Sequence, residues 1–205
     1  MNPVILIGIP LRDGLIRIET MLSHIVNRGA MHIGMPVSYA YTIGVPYPEC
    51  HEKLADIAVE KGCKYLLLFE EDMILPPQAL YKLLKADKDV ITAIYYDRHM
   101  EDGQPLICKE IGKQWKAEEE KDEVFPIQHG GIGCVLIKTE ALKKLPKPWF
   151  DIGIEENVIA CTSDITFYMK CLKVGIQPYA HRDVVCGHID MGTGKISPSG
   201  WQLRF

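Results

Sequence analysis

The chain has no Cys-x-x-Cys pair, no excess of positive charge, no apolar run long enough to cross a membrane and no internal repeat. Each absence excludes a class. Seven cysteines stand singly at positions 50, 63, 108, 134, 161, 171 and 186. An odd, dispersed set argues against a zinc knuckle or a disulfide framework and for reduced thiols in a cytoplasmic setting. A formal charge of −4 supplies no general attraction to nucleic acid or anionic lipid. The first apolar run, Val4 to Ile9, lacks a basic flank and a cleavage site and is far shorter than a membrane span, so it is expected to be a buried first strand. No linker divides the chain. What remains is 205 residues, 47% hydrophobic and 24% charged, enough for one soluble domain with a sizeable core.

Apolar runs of strand length alternate with segments of helical period, which is the pattern of an α/β sandwich. Strands are expected over Val4–Ile9, Val37–Gly44, Tyr65–Phe69, Val90–Tyr95, Gly130–Lys138 and within Tyr179–His188. Helices are expected over Leu15–Asn27, around Leu54, Ile57 and Ala58 with Gly62 as the stop, after Pro76-Pro77, after a Thr139 cap, and from Ser163 or Asp164 to Lys173. Tyr65–Phe69 is unbroken and apolar, as a central strand covered on both faces should be. The charge run Lys116–Glu123 reads as a solvated loop. Residues 192–205, rich in Gly, Ser and Pro at their start, read as a flexible tail behind a single domain over 1–191.

The most apolar strand runs directly into Glu70-Glu71-Asp72. Ligands of open α/β sheets bind at the carboxyl ends of the strands. If the strand continues, Glu70 and Asp72 face one way and Glu71 the other. Hard divalent cations take carboxylate oxygens together with substrate phosphates, so this triplet suits a metal; a solvated strand-end loop is the plainer reading. His188 closes the last strand, either as a structural residue or as an imidazole ligand over the same edge. Asp164 is either a first-turn helix acid or a general base.

The order of these features is strand, Glu70-x-Asp72, Pro-Pro helix, Tyr95-Tyr96-Asp97-Arg98, Gly130-Gly131-Ile132-Gly133, Leu145-Pro146-Lys147-Pro148-Trp149-Phe150, Ser163-Asp164 helix and Gly187-His188. Taken as a series over residues 3 to 190, it resembles the family 2-like GT-A glycosyltransferases of bacteria, archaea and phages. The resemblance implies a three-layer α/β/α sandwich with a mostly parallel central sheet. It places Glu70 and Asp72 at the DxD acids, which hold donor ribose and a diphosphate-bound Mn²⁺ or Mg²⁺, with Glu71 between them. His188 takes the place of the late histidine of the metal shell, and Asp164 that of the base in inverting members. Pro10, Arg12 and Asp13 fall in the loop that contacts the nucleotide, and Gly131 where backbone approaches donor or acceptor closely. This chain departs from the pattern in having Glu70 as the longer first acid, Ser163 in place of the first acid of the Glu-Asp pair, and Glu49-Cys50-His51 where relatives often carry Arg-Asn.

The implied activity is metal-dependent transfer of a sugar from a nucleotide-diphosphate donor, a UDP-sugar, to an acceptor hydroxyl, with inversion. The acceptor class stays open among a glycan, a protein, a lipid-linked intermediate and a modified DNA base. Nucleotidyltransfer is the second reading. The loop Pro10-Leu11-Arg12-Asp13-Gly14 fits it poorly, because that chemistry usually grips phosphate with a basic, glycine-rich loop. A non-catalytic module that binds a nucleotide-sugar or carbohydrate is the third.

Overall fold

The computed structural model describes residues 4–30, 35–98, 103–110, 113–116, 120–155 and 158–202. In chain order the elements are β1 (Ile5–Leu11), α1 (Ile18–Ala30), β2 (Val37–Ile43), α2 (Glu49–Glu60), β3 (Tyr65–Phe69), β4 (Met73–Ile74), α3 (Ala79–Lys85), β5 (Val90–Ile94), β6 (Ile107–Glu110), β7 (Lys113–Gln114), β8 (Val124–Pro126), β9 (His129–Gly130), β10 (Cys134–Lys138), α4 (Thr139–Leu142), β11 (Gly153–Glu155), β12 (Val158–Cys161), α5 (Ser163–Lys173), β13 (Tyr179–Val185), β14 (Gly187–Ile189) and β15 (Ile196–Ser197).

Seven strands form one sheet in the order β2-β1-β3-β10-β5-β13-β8. Five of them run in one direction, while β10 and β8 run against the rest. The central strands are apolar throughout because both faces are covered. On β3, Leu66 and Leu68 face one core, and Tyr65, Leu67 and Phe69 face the other. The same alternation divides β5 and β10: Val90, Ile94, Val135 and Ile137 pack on one side, with Ile91, Ala93, Cys134 and Leu136 on the other. Helices α2, α4 and α5 cover the first face through Leu54, Leu142 and Phe167, and α3 covers the second through Leu80 and Leu83. The architecture is therefore a mixed α/β sandwich around a mostly parallel sheet. Among the described residues, no helix is long and apolar enough to cross a membrane.

Several boundaries differ from the sequence reading, and each has a local cause. Leu15 precedes α1, since its amide is bonded to the Asp13 carboxylate in a turn. The expected strand Gly130–Lys138 is split into β9 and β10 at Gly131–Gly133, where the chain passes Tyr95. Thr139 does not cap α4; Lys138 is the N-cap residue, and the Thr139 hydroxyl donates instead to the Cys63 carbonyl at 2.6 Å. The segment read as a tail carries β15, which pairs with β14, and Trp201, whose indole N–H donates to the Val185 carbonyl. The charge run Lys116–Glu123 lies partly outside the described residues.

Candidate active site

Strand β3 delivers its last side chain, Phe69, into the core and stops. Glu70, Glu71 and Asp72 then make a turn closed by the Met73 amide on the Glu70 carbonyl, so strand alternation no longer applies. All three acids line one cavity of about 430 Å³, together with Pro10, Arg12, Tyr47, His51 and Arg98. Glu71 thus faces the same space as its neighbours rather than the opposite side. Its carboxylate accepts the Arg12 amide at 2.9 Å, and its carbonyl accepts the Thr20 hydroxyl at 3.0 Å. Those two bonds tie the β1 loop and α1 to the turn. Asp13 is not a lining residue; it is spent on the turn before α1.

The tiny strand β4 follows the acids and pairs antiparallel with β14, placing His188 opposite Met73. This pairing brings His188 Nε2 to 3.6 Å from Asp72 Oδ2. The ring is held by Nδ1, 2.7 Å from the Tyr96 carbonyl, and by an edge contact with Tyr95 at 5.3 Å. A carbonyl can only accept, so Nδ1 carries the hydrogen and Nε2 presents its lone pair. Burial lowers the His188 pKa against the raising effect of the Tyr96 bond, and the net lowering favours the neutral ring at pH 7. Arg98 pairs with Asp72 and places Nη1 3.0 Å from His188 Nε2. The other oxygen, Asp72 Oδ1, is buried without a partner among the described residues.

Glu70 does not join this pair. Its Oε1 lies 3.4 Å from Nε2 of His51, a fully buried side chain wedged between Tyr47 and Phe150. Among the described residues, no group of three or more His, Cys, Asp or Glu side chains converges as a ready-made metal cage. Asp72 and His188 nonetheless fit a divalent cation as two ligands: an orphaned carboxylate oxygen and a neutral imidazole nitrogen suit Mn²⁺ or Mg²⁺ when phosphate oxygens and water complete the shell.

Asp164 sits in the first turn of α5, behind the N-cap residue Thr162, whose side chain makes no capping bond. Its carboxylate accepts the Tyr47 hydroxyl from the loop after β2. Burial first, then the facing Asp164 charge, pushes the Tyr47 pKa up, so the phenol stays protonated and donates. Asp164 lines a second cavity of about 300 Å³ with Tyr47, Glu70, Arg98 and His188. A third space of about 380 Å³, more apolar, extends on its far side past Leu106, Ile107, His129 and Gly131.

Gly131 therefore lies on the Asp164 side, apart from the acid-lined cavity. Its lack of a side chain has a packing cause: a Cβ there would stand 1.7 Å from the Tyr95 hydroxyl. That hydroxyl accepts the Gly133 amide at 2.9 Å, so Tyr95 occupies the space the glycines leave. Tyr47 and His51 have no motif to announce them. The only sequence signal was a Pro46-Tyr47-Pro48 turn at a strand end and a histidine on the face of α2 that turns inward.

No protein-family model matches the chain, and no curated protein sequence does. Solved structures share its fold. A197 from STIV superposes with a TM-score of 0.66 at 17% identity, over 98% of this chain and 96% of that one. GalNAc-T7, solved with UDP, GalNAc and Mn²⁺, gives 0.57 at 11% identity over 92% of this chain and 44% of that longer one. UDP-glucose pyrophosphorylase, complexed with UDP-glucose, gives 0.55 at 10% identity over 93% and 94%. The sandwich is the one shared by GT-A glycosyltransferases and nucleotidyltransferases.

Proposed function

We propose that the chain is a divalent-cation-dependent glycosyltransferase that moves a sugar from a nucleoside-diphosphate donor to an acceptor hydroxyl with inversion. The observation that carries this reading is the shared cavity. Asp164, on α5, faces Glu70, Arg98 and His188 across about 300 Å³, and Glu70, Arg98 and Tyr47 also line the larger acid-lined cavity beside it. A donor in the larger cavity would present its anomeric carbon to Asp164, and an acceptor would enter from the apolar side. Solved structures of this fold hold a UDP-sugar or UDP, GalNAc and Mn²⁺, which supports placing a nucleotide-sugar here.

The backbone at Pro10–Arg12 and the carboxylates of Glu70 and Glu71 would hold the nucleoside. Asp72 and His188 would hold the cation, which when bound supplies Lewis-acid neutralisation of the departing diphosphate. Asp164 acts on the acceptor. The Tyr47 hydroxyl is bonded to its carboxylate, and an acceptor hydroxyl would take that place. Once that hydroxyl replaces the phenol, the Asp164 carboxylate would receive the acceptor's proton as the acceptor oxygen attacks the anomeric carbon. The C–O bond to the diphosphate breaks on the opposite face, so one displacement inverts the configuration.

The test is a panel of nucleotide-sugars assayed for nucleoside-diphosphate release with Mn²⁺ and with EDTA. Metal-dependent nucleoside diphosphate is expected. Pyrophosphate as the released product would assign nucleotidyltransfer, and no release from any donor, alone or with acceptor sugars, would leave a binding module.

A further inference from the structure

The position between Asp72 and His188 is already taken by a positive charge. Arg98 pairs with Asp72, and its Nη1 stands 3.0 Å from His188 Nε2. The two acceptors are themselves 3.6 Å apart, so one small volume separates them. The ring cannot turn away, because Nδ1 is anchored on the Tyr96 carbonyl. Nor does Arg98 satisfy the whole carboxylate, since Asp72 Oδ1 remains without a partner among the described residues. The guanidinium belongs to both neighbouring cavities, the acid-lined one and the one facing Asp164.

We infer that Arg98 is an internal counter-cation which holds the Asp72–His188 pair in the absence of donor and is exchanged for a divalent cation when a nucleoside diphosphate binds. The inference rests on the proposed reading of Asp72 and His188 as cation ligands. Its physical basis is exclusion. A divalent ion bonded to Asp72 Oδ1 and His188 Nε2 needs the imidazole lone pair that Arg98 now occupies, and beside Arg98 on the same carboxylate two cations repel strongly in a partly buried site. Without donor, the metal must displace Arg98 at a loss of its ion pair. With donor, the guanidinium gains a better partner than it gives up. Arg98 lines the acid-lined cavity, and a planar guanidinium binds phosphate oxygens through two parallel N–H bonds. Metal and diphosphate would then enter together, each weak alone, and Arg98 would be the element that couples them.

The experiment is a Mn²⁺ titration, read as loss of the free-ion EPR signal, with and without UDP. The proteins are wild type, Arg98→Met, Arg98→Lys and Asp72→Ala, each checked for its melting temperature. Without UDP, Arg98→Met is expected to bind Mn²⁺ at least about 10-fold more tightly than wild type, on the scale of coupling between neighbouring sites. Arg98→Lys should fall between them, because it keeps the positive charge while its compact, strongly hydrated ammonium lacks the planar guanidinium that Arg98 sets against Asp72 and His188. UDP should strengthen Mn²⁺ binding more in wild type than in Arg98→Met, and Asp72→Ala should bind little in either condition. Equal or weaker Mn²⁺ affinity in both Arg98 variants, with UDP and Mn²⁺ still binding to wild type, overturns the exchange and leaves the site reading intact. Absence of Mn²⁺ binding from wild type even with UDP overturns both. Should Arg98→Met fail to fold, the Lys variant decides by the same comparison.

Discussion

Two aspartates in adjoining cavities, which share Tyr47, Glu70 and Arg98 in their walls, are built in different ways. Asp72 is 6% exposed, set at a turn between two strands, and engaged by an arginine and a histidine that arrive from other parts of the chain. Asp164 is half-buried in the first turn of a helix and, among the described residues, meets a neutral hydroxyl and no cation. The first environment stabilises a carboxylate with positive charge and fixes its direction. The second leaves a carboxylate free to exchange one hydroxyl partner for another. On the proposed reading, holding charge and taking a proton would fall to separate environments, and each side can be broken without the other.

The largest effect is expected on the Asp72 side. Asp72→Ala should remove divalent-cation dependence together with nearly all transfer. A strand-end carboxylate by itself would contribute little to stability. Here the substitution also strands Arg98 beside His188, so a loss of about 1–3 kcal/mol is expected, below that of a fully buried pair because Arg98 is part-exposed. Urea denaturation and a metal-dependent transfer assay on the same sample measure both. Wild-type transfer with metal present would refute the assignment.

Asp164→Asn tests the other side. Transfer should fall by about 10²- to 10⁴-fold, the range of general-base catalysis, while donor and Mn²⁺ binding stay near wild type. Because Asn keeps the shape of Asp164 and can still accept the Tyr47 hydroxyl, the melting temperature should barely move. NMR of the wild-type product gives the second readout; a retained anomeric configuration would exclude Asp164 as the base of a single displacement.

The smallest effect concerns pH and sharpens the contrast between fixed and exchangeable groups. His24 packs edge-on against Phe69 at 4.2 Å, directly before the three acids, and its Nε2 is buried without a partner among the described residues. Burial lowers its pKa from 6.5 to about 4. Between those values the unfolded chain binds a proton that the folded chain refuses, so stability is full above pH 6.5 and declines as pH falls toward 4. The shift corresponds to about 3 kcal/mol at most. His24→Leu should remove that part of the acid dependence while leaving stability at pH 7.5 comparatively little changed. Parallel wild-type and variant curves of unfolding free energy from pH 7.5 to 4 would show that His24 does not govern it.

Much of this protein was legible from local pattern. Tyr65–Phe69 could only be a central strand, because five consecutive apolar residues need cover on both faces, and α5 began at Ser163 and ended before Gly175 as its period and stop signal required. The acids at the end of β3 were visible because they follow that strand in sequence, on the edge where such sheets bind ligands. What the tertiary structure alone decided was which side chains meet. Glu70 turned to His51, Glu71 to the Arg12 amide and Asp72 to Arg98 and His188 because the strand stops at Phe69 and a turn, not a two-residue period, orients the three. His188 reached Asp72 only through the pairing of β4 with β14, and Tyr47 reached Asp164 from a loop 117 residues away. Periodicity records the burial each residue needs within its own element; pairing between distant elements depends on register and chain path, which no short window of sequence contains.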